Sequence, residues 1–165
     1  MPDQIRIAEL ADAEYVSELF NQYRMFYNRP SDLEGAIQYI KSRMQHNESI
    51  ILVAEKIAES ELLEPMNGKD NGINQALMGF VQLYPTFSSL SMRSNWILND
   101  LYVQPEYRQQ GVARRLLQAS RALAEERGVG ALSLSTAVSN KQAQALYESE
   151  GYVLDTQFLY YDLDV

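Results

Sequence analysis

Apolar residues recur at helical spacing in three stretches of the chain. After Asp12, which can cap a helix start, Tyr15, Val16, Leu19, Phe20, Tyr23 and Phe26 follow at steps of three and four. Pro30 interrupts this run. Ser31 is placed to cap a second helix that gathers Leu33, Ala36, Ile37, Ile40 and Met44 on one face. The third run spans 111–127, with Val112, Leu116, Ala119 and Leu123 on its inner stripe and Gly128 and Gly130 stopping it. Elsewhere the pattern is that of strands, at 5–8, 49–55, 76–84, 96–103 and 131–136, with a turn at 85–89. A short helix is expected over 140–148, ended by Gly151, and a final strand pair over 152–154 and 157–163. The stretch 57–73, with its glutamates, Pro65 and an Asn-Gly-Lys-Asp-Asn-Gly run, reads as a long polar insertion with no part in chemistry. The order of elements predicts an α/β fold, one domain over 1–165. Its mixed sheet carries helices on both faces, with antiparallel strands first and a strand–helix–strand unit in the middle.

Composition narrows the function classes. The chain has 165 residues and no cysteine, which excludes disulfides and thiolate chemistry. Its formal net charge of −8 argues against a nucleic-acid partner, which would need a broad basic face. No apolar run is long enough to span a bilayer, and Met1-Pro2-Asp3-Gln4-Ile5-Arg6 lacks a signal-peptide pattern, so a cytoplasmic location is expected. The lone His46 has no neighbours suited to a metal site, and no metal is expected. The stretch 108–127 departs from the overall charge: it holds five arginines against two glutamates. An anionic ligand suits that segment, while the acidic remainder would suit a cationic acceptor.

The most informative run is Leu98-Asn99-Asp100-Leu101-Tyr102-Val103-Gln104-Pro105-Glu106-Tyr107-Arg108-Gln109-Gln110-Gly111-Val112-Ala113. It reads as a buried strand, a proline-marked turn and a tight loop opening a long helix. First-turn amides lack partners inside a helix, and the helix dipole is positive there, so such a loop is suited to an anion. Gly111 lets the backbone come close to a ligand.

Arg108-Gln109-Gln110-Gly111-Val112-Ala113 resembles the acetyl-CoA motif Gln/Arg-x-x-Gly-x-Gly/Ala of the GCN5-related N-acetyltransferases. A second block, Asn140 to Tyr152, stands downstream at a suitable distance. The resemblance is good over 75–155 and looser in the N-terminal third. It implies a sheet splayed at the fourth strand and an acetyl-CoA cosubstrate whose pyrophosphate is held by the 109–113 amides, with Arg108 at the loop entrance. It implies that the pantetheine arm lies along Leu101, Tyr102 and Val103 as a pseudo-strand, and that an amide near Val103 polarises the thioester carbonyl. By the same resemblance Tyr147, four residues after Ala143 on one helix face, protonates the departing thiolate. Asn140 contacts the pantetheine or the preceding loop, and it can equally cap its own helix.

For the acceptor, many relatives carry a glutamate before the strand's aspartate, where this chain has Asn99. Asn99 cannot take a proton and is read as a substrate-positioning residue. Alternation along a strand turns Asp100 the other way unless a bulge intervenes, so no base is assigned. The pocket candidates are Tyr23, Phe26, Tyr27, Tyr84, Phe87 and Tyr161, with Phe20 read as core. The implied activity is acetyl transfer to a primary amine by direct attack, the acceptor being a small amine, polyamine, amino acid or basic peptide. A CoA-binding module without turnover, or a transferase of a larger acyl group, stays open beside it. The resemblance also implies a homodimer, with the aromatic edge Phe158-Leu159-Tyr160 as a pairing strand.

Overall fold

The computed structural model describes residues 3–57 and 77–165. The polar insertion expected at 57–73 lies outside the described residues from residue 58 onward. The chain falls into two compact units, Met1–Ser135 and Thr136–Val165.

The first unit is built on a five-stranded sheet in sequence order. Its strands are β1 (Asp3–Ile7), β2 (Ile50–Lys56), β3 (Leu77–Ser88), β4 (Arg93–Val103) and β5 (Leu132–Leu134). The first four pair antiparallel, and β5 joins β4 in parallel. Helices α1 (Ala13–Phe26) and α2 (Leu33–Gln45) precede β2, and α3 (Val112–Glu126) links β4 to β5. Alternation assigns the two faces. Ile51, Val53, Phe80 and Tyr102 cluster with Ala13, Val16 and Leu19 of α1 and Ile40 of α2. The alternate residues Leu52 and Val81 are also buried, on the opposite face, where α3 packs across β1 to β4.

Asp12 stands at the start of α1 but caps nothing in it. Its carboxylate is held by both terminal nitrogens of Arg6, at 2.7 and 2.8 Å, and by the Glu9 amide at 2.7 Å. The cap of α2 is Asp32, which accepts from Gly35 N at 2.9 Å; the hydroxyl of Ser31 is engaged by Asn21. The turn expected at 85–89 moves outward, because β3 runs on to Ser88 and the reversal falls at residues 89–92. Pro85 is tolerated inside the strand because the β2 partnership ends at Leu83, leaving that side of β3 with no ladder to break. On α3 the buried stripe is Val112, Leu116, Leu117, Ser120 and Ala124, with Ala119 and Leu123 half-buried. Ser120 can sit inside because its hydroxyl donates to Leu116 O at 2.8 Å.

The second unit contains one helix, α4 (Lys141–Ser149). Residues 152–165 form no strand, contrary to the expected final pair. Backbone donors that a ladder would need turn inward instead: the Gln157 and Phe158 amides both reach Asp155 Oδ1. The strand edge that was to carry a dimer is therefore absent. Among the described residues no helix is long and apolar enough to cross a membrane.

Candidate functional site

Two features of β4 shape the site. The first is a bulge. Gln82 pairs with Asp100 but Leu83 pairs with Leu98, so Asn99 has no partner on β3. An extra residue re-aims its neighbours. Asn99 and Asp100 consequently both line one cavity, on the α1–α2 face of the sheet. This overturns the alternation argument that turned Asp100 away.

The second feature is a splay. β5 pairs with Trp96, Ile97 and Leu98 and no further. Beyond Leu98, among the described residues, no strand accompanies β4 on that side. Leu101, Tyr102 and Val103 are thus paired to β3 alone. The Tyr102 ring is in the core and its hydroxyl meets Gln22 Oε1 at 3.2 Å, so this residue can offer a ligand only its backbone.

Past Val103 a short 3₁₀ turn, Pro105–Tyr107, leads into the loop before α3. Gln109 (φ 60°) and Gly111 (φ 79°) are both left-handed, which curls the loop so that successive amides converge. The backbone N–H groups of Gln109, Gln110, Gly111, Val112 and Ala113 make no hydrogen bond to any described residue; the first bond of α3 runs from Arg115 N to Gly111 O at 3.0 Å. Five neighbouring donors at a helix start match the oxygens of a pyrophosphate. Arg108 is not a loose cation here. Its Nε donates to Val103 O at 2.9 Å, and its guanidinium lies over Tyr102 (5.5 Å) and Phe26 (5.8 Å). It ties the end of β4 to the loop. Arg115 braces the loop from behind, donating to Gln110 O and pairing with Asp3.

The cavity on the other side of Asp100 has a volume of about 310 Å³. Its walls are the rings of Phe20, Tyr23, Tyr27, Tyr39 and Tyr84, and Arg24 and Arg29 also line it. Tyr39 and Tyr84 share a hydrogen bond of 2.8 Å between hydroxyls. Burial pushes the Tyr84 hydroxyl above the usual tyrosine range, with the Tyr39 bond adding to it. Asp100 is 3% exposed. Burial pushes its carboxyl above the ordinary range, and hydrogen bonds from Gln82, Tyr23 and Asn99 oppose that rise. Gln82 Nε2 donates to it at 2.6 Å and Asn99 Nδ2 at 3.1 Å. A buried carboxylate with a raised affinity for protons, among aromatic rings, can hold an ammonium and accept its proton.

Of the sequence candidates, Tyr23, Tyr27, Tyr84, Asn99 and Asp100 come together here, and Phe20, packed against the core as expected, lines the cavity as well. Phe26 lies under Arg108 instead, and Phe87, 84% exposed near the hairpin end, is outside the cavity. Tyr161 is exposed in the second unit. Tyr39, Arg24, Arg29 and Gln82 were missed. An aromatic at helical spacing from Ile40's stripe could have flagged Tyr39, but the arginines carry no sequence signal. His46 is at the surface, its Nδ1 2.8 Å from Ser42 O. Among the described residues no group of three or more acidic or His side chains is placed to hold a metal.

In the second unit Asn140 caps α4, its Oδ1 accepting from Ala143 N at 3.1 Å. Tyr147 is half-buried and packs edge-on against Tyr152, with ring centroids 6.0 Å apart.

Known proteins agree with this geometry. The family model described as "Acetyltransferase (GNAT) family" matches residues 18–152. An uncharacterized N-acetyltransferase of Bacillus subtilis (strain 168), YhfO, is 44% identical over 161 residues, covering 98% of this chain and 97% of the relative. A thialysine N-epsilon-acetyltransferase of Caenorhabditis elegans is 28% identical over 110 residues, 64% of this chain and 65% of its own length. The crystal structure of a probable acetyltransferase superposes with a TM-score of 0.81 at 37% identity, covering 98% of this chain and 97% of that one. An opened sheet, a loop of unpartnered amides and this extended likeness lead to one assignment: the chain belongs to the GNAT family of acetyltransferases and is an acetyl-CoA-dependent N-acetyltransferase.

Proposed function

We propose that this protein transfers the acetyl group of acetyl-CoA to a primary amine by direct attack, with Asp100 as the proton acceptor. The observation that carries the reading is the Asn99 bulge, which turns a buried carboxylate into an aromatic cavity. Acetyl-CoA supplies the acyl group as a thioester. The residues suited to hold it are Gln109, Gln110, Gly111, Val112 and Ala113 through their amides, with the freed edge of Leu101, Tyr102 and Val103 for the extended arm. Arg108 serves by fixing β4 to the loop rather than by charge alone. Asn140 and Ala143 keep the cofactor role that their motif implies.

Asp100 takes a proton from the acceptor's ammonium, leaving a nucleophilic amine. As that nitrogen bonds to the acyl carbon, the carbon–sulfur bond breaks, and the nitrogen loses its second proton to water, from which Tyr147 is reprotonated after each turnover. Tyr147 is assigned, from its motif position, to return a proton to the leaving sulfur. Asn99 orients Asp100 and the incoming amine, and Tyr27 and Tyr84 form the walls around it. The name of the worm relative, a thialysine N-epsilon-acetyltransferase, is consistent with a primary amine acceptor. The test is release of free CoA thiol by the purified chain against a panel of primary amines, with acetylated product identified by mass. Acetyl-CoA binding without turnover on any amine would favour an inert CoA-binding module. Faster turnover with a longer acyl-CoA would identify a different acyl donor.

A further inference from the structure

Arg24 and Arg29 line the acceptor cavity without an acidic partner among the described residues. The protein has 22 acidic and 14 basic side chains, and Arg6, Arg43, Arg115 and Arg121 are all ion-paired. Arg24 is half-buried, and among the described residues its guanidinium makes one long contact, 3.5 Å to Pro30 O. Arg29 is exposed, and its guanidinium donates to no described residue. Neither reaches Asp100, which is buried at the β4 bulge. The cavity is therefore lined at once by a buried carboxylate, by two arginines, one half-buried and one exposed, and by Tyr23 and Tyr27.

From this arrangement we propose that the acceptor carries an anion of its own. It is a small ω-amino acid or a similar molecule, its amine directed to Asp100 and its carboxylate to Arg24 and Arg29. The proposal rests on the amine-acetylating reading above and narrows it. A polyamine or a lysine-rich tail would bring a second positive charge against two unpaired arginines, and like charges in such a site are disfavoured. An anionic tail satisfies both arginines, whose planar forks fit carboxylate and phosphate alike. Aromatic walls suit the methylenes between the two ends. A cavity of about 310 Å³ has the size of a small-molecule site.

The experiment compares matched acceptors at saturating acetyl-CoA by thiol release. Lysine is set against cadaverine, ornithine against putrescine, lysine against its methyl ester, and 5-aminopentanoate against 5-aminopentyl phosphate. We expect kcat/KM at least tenfold higher for the acid than for its decarboxylated or esterified partner, the difference residing mainly in KM. Preference for the aminoalkyl phosphate would support the anionic tail while identifying it as a phosphate. Arg24→Glu and Arg29→Glu, checked for folding by circular dichroism, should lower or invert the acid-to-diamine ratio, and raised salt should lower it too. Equal or better turnover of the diamines, or an unchanged ratio in the arginine variants, would overturn this proposal and leave acetyl transfer standing. Turnover of no amine at all would overturn both.

Discussion

Asp100 shows how a single inserted position can decide a site. Burial raises its proton affinity, so activity should rise with pH as the carboxyl ionises. Asp100→Asn should abolish that acid limb and lower kcat by about 10²–10⁴, as loss of a general base does; a pH–rate profile checks it. The stability consequence has the opposite sign. A carboxyl whose folded pKa is raised binds protons more tightly when folded, so stability is lost as pH rises from the unfolded value through the folded one. Asp100→Asn should therefore melt higher than the wild type at neutral pH, readable by calorimetry. Gln82, fully buried, donates to Asp100 and draws its pKa down. Gln82→Leu keeps the volume and removes the donor, so the acid limb should move to higher pH while the fold persists. The sequence exposed Asn99 and Asp100 as candidates, but their joint direction depends on the two-for-one pairing with β3, which is a property of two strands and not of either one.

Among the elements, helices were the most legible, because a 3.6-residue period survives whatever the neighbours do. All four expected helices are present with ends shifted by a few residues. Their caps were less legible: Asp12 and Ser31 are good capping residues, yet each is claimed by a partner on another element, Arg6 of β1 and Asn21 of α1. The final strands failed because a strand exists only through its ladder, and residues 152–165 have aromatic and β-branched side chains but no strand partner among the described residues. Close approach of elements was also invisible. At Gly79, paired with Val103, an added Cβ would lie 2.5 Å from Tyr102 O and 3.1 Å from Val103 Cα. Both are backbone atoms and cannot swing aside. Gly79→Ala should push β4 outward, lower the melting temperature by several degrees (about 1–3 kcal/mol for overpacking) and weaken CoA binding by isothermal titration.

For the whole molecule, an ion cluster at one end of the sheet matters more than the net charge. Arg6 on β1 holds Asp12 before α1 and Glu55 on β2, at 2.7 and 2.9 Å, and both carboxylates are almost fully buried. The Arg6 fork keeps the Asp12 carboxyl below its usual range despite burial. That interaction stabilises the fold above the unfolded pKa of an aspartate and is lost as pH falls through the lower folded value. Arg6→Met would strand two acids in a dry environment, at a cost of about 3–5 kcal/mol. Urea titration at neutral pH should show it, and the deficit should shrink in acid, where the stranded Asp12 carboxyl is protonated.

The gap that the described residues leave beside β4 beyond Leu98 has a consequence for the life of the enzyme. A sheet with one flank missing is a scaffold awaiting its last rung, and the extended arm of the cosubstrate is a candidate for that rung. On this view loading and maturation are a single event. Amide deuterium uptake at residues 101–103 and 109–113 should slow on addition of CoA, with the midpoint of thermal melting rising in step with ligand concentration. Metabolic supply would then govern how long each copy resists proteolysis as well as how fast it works.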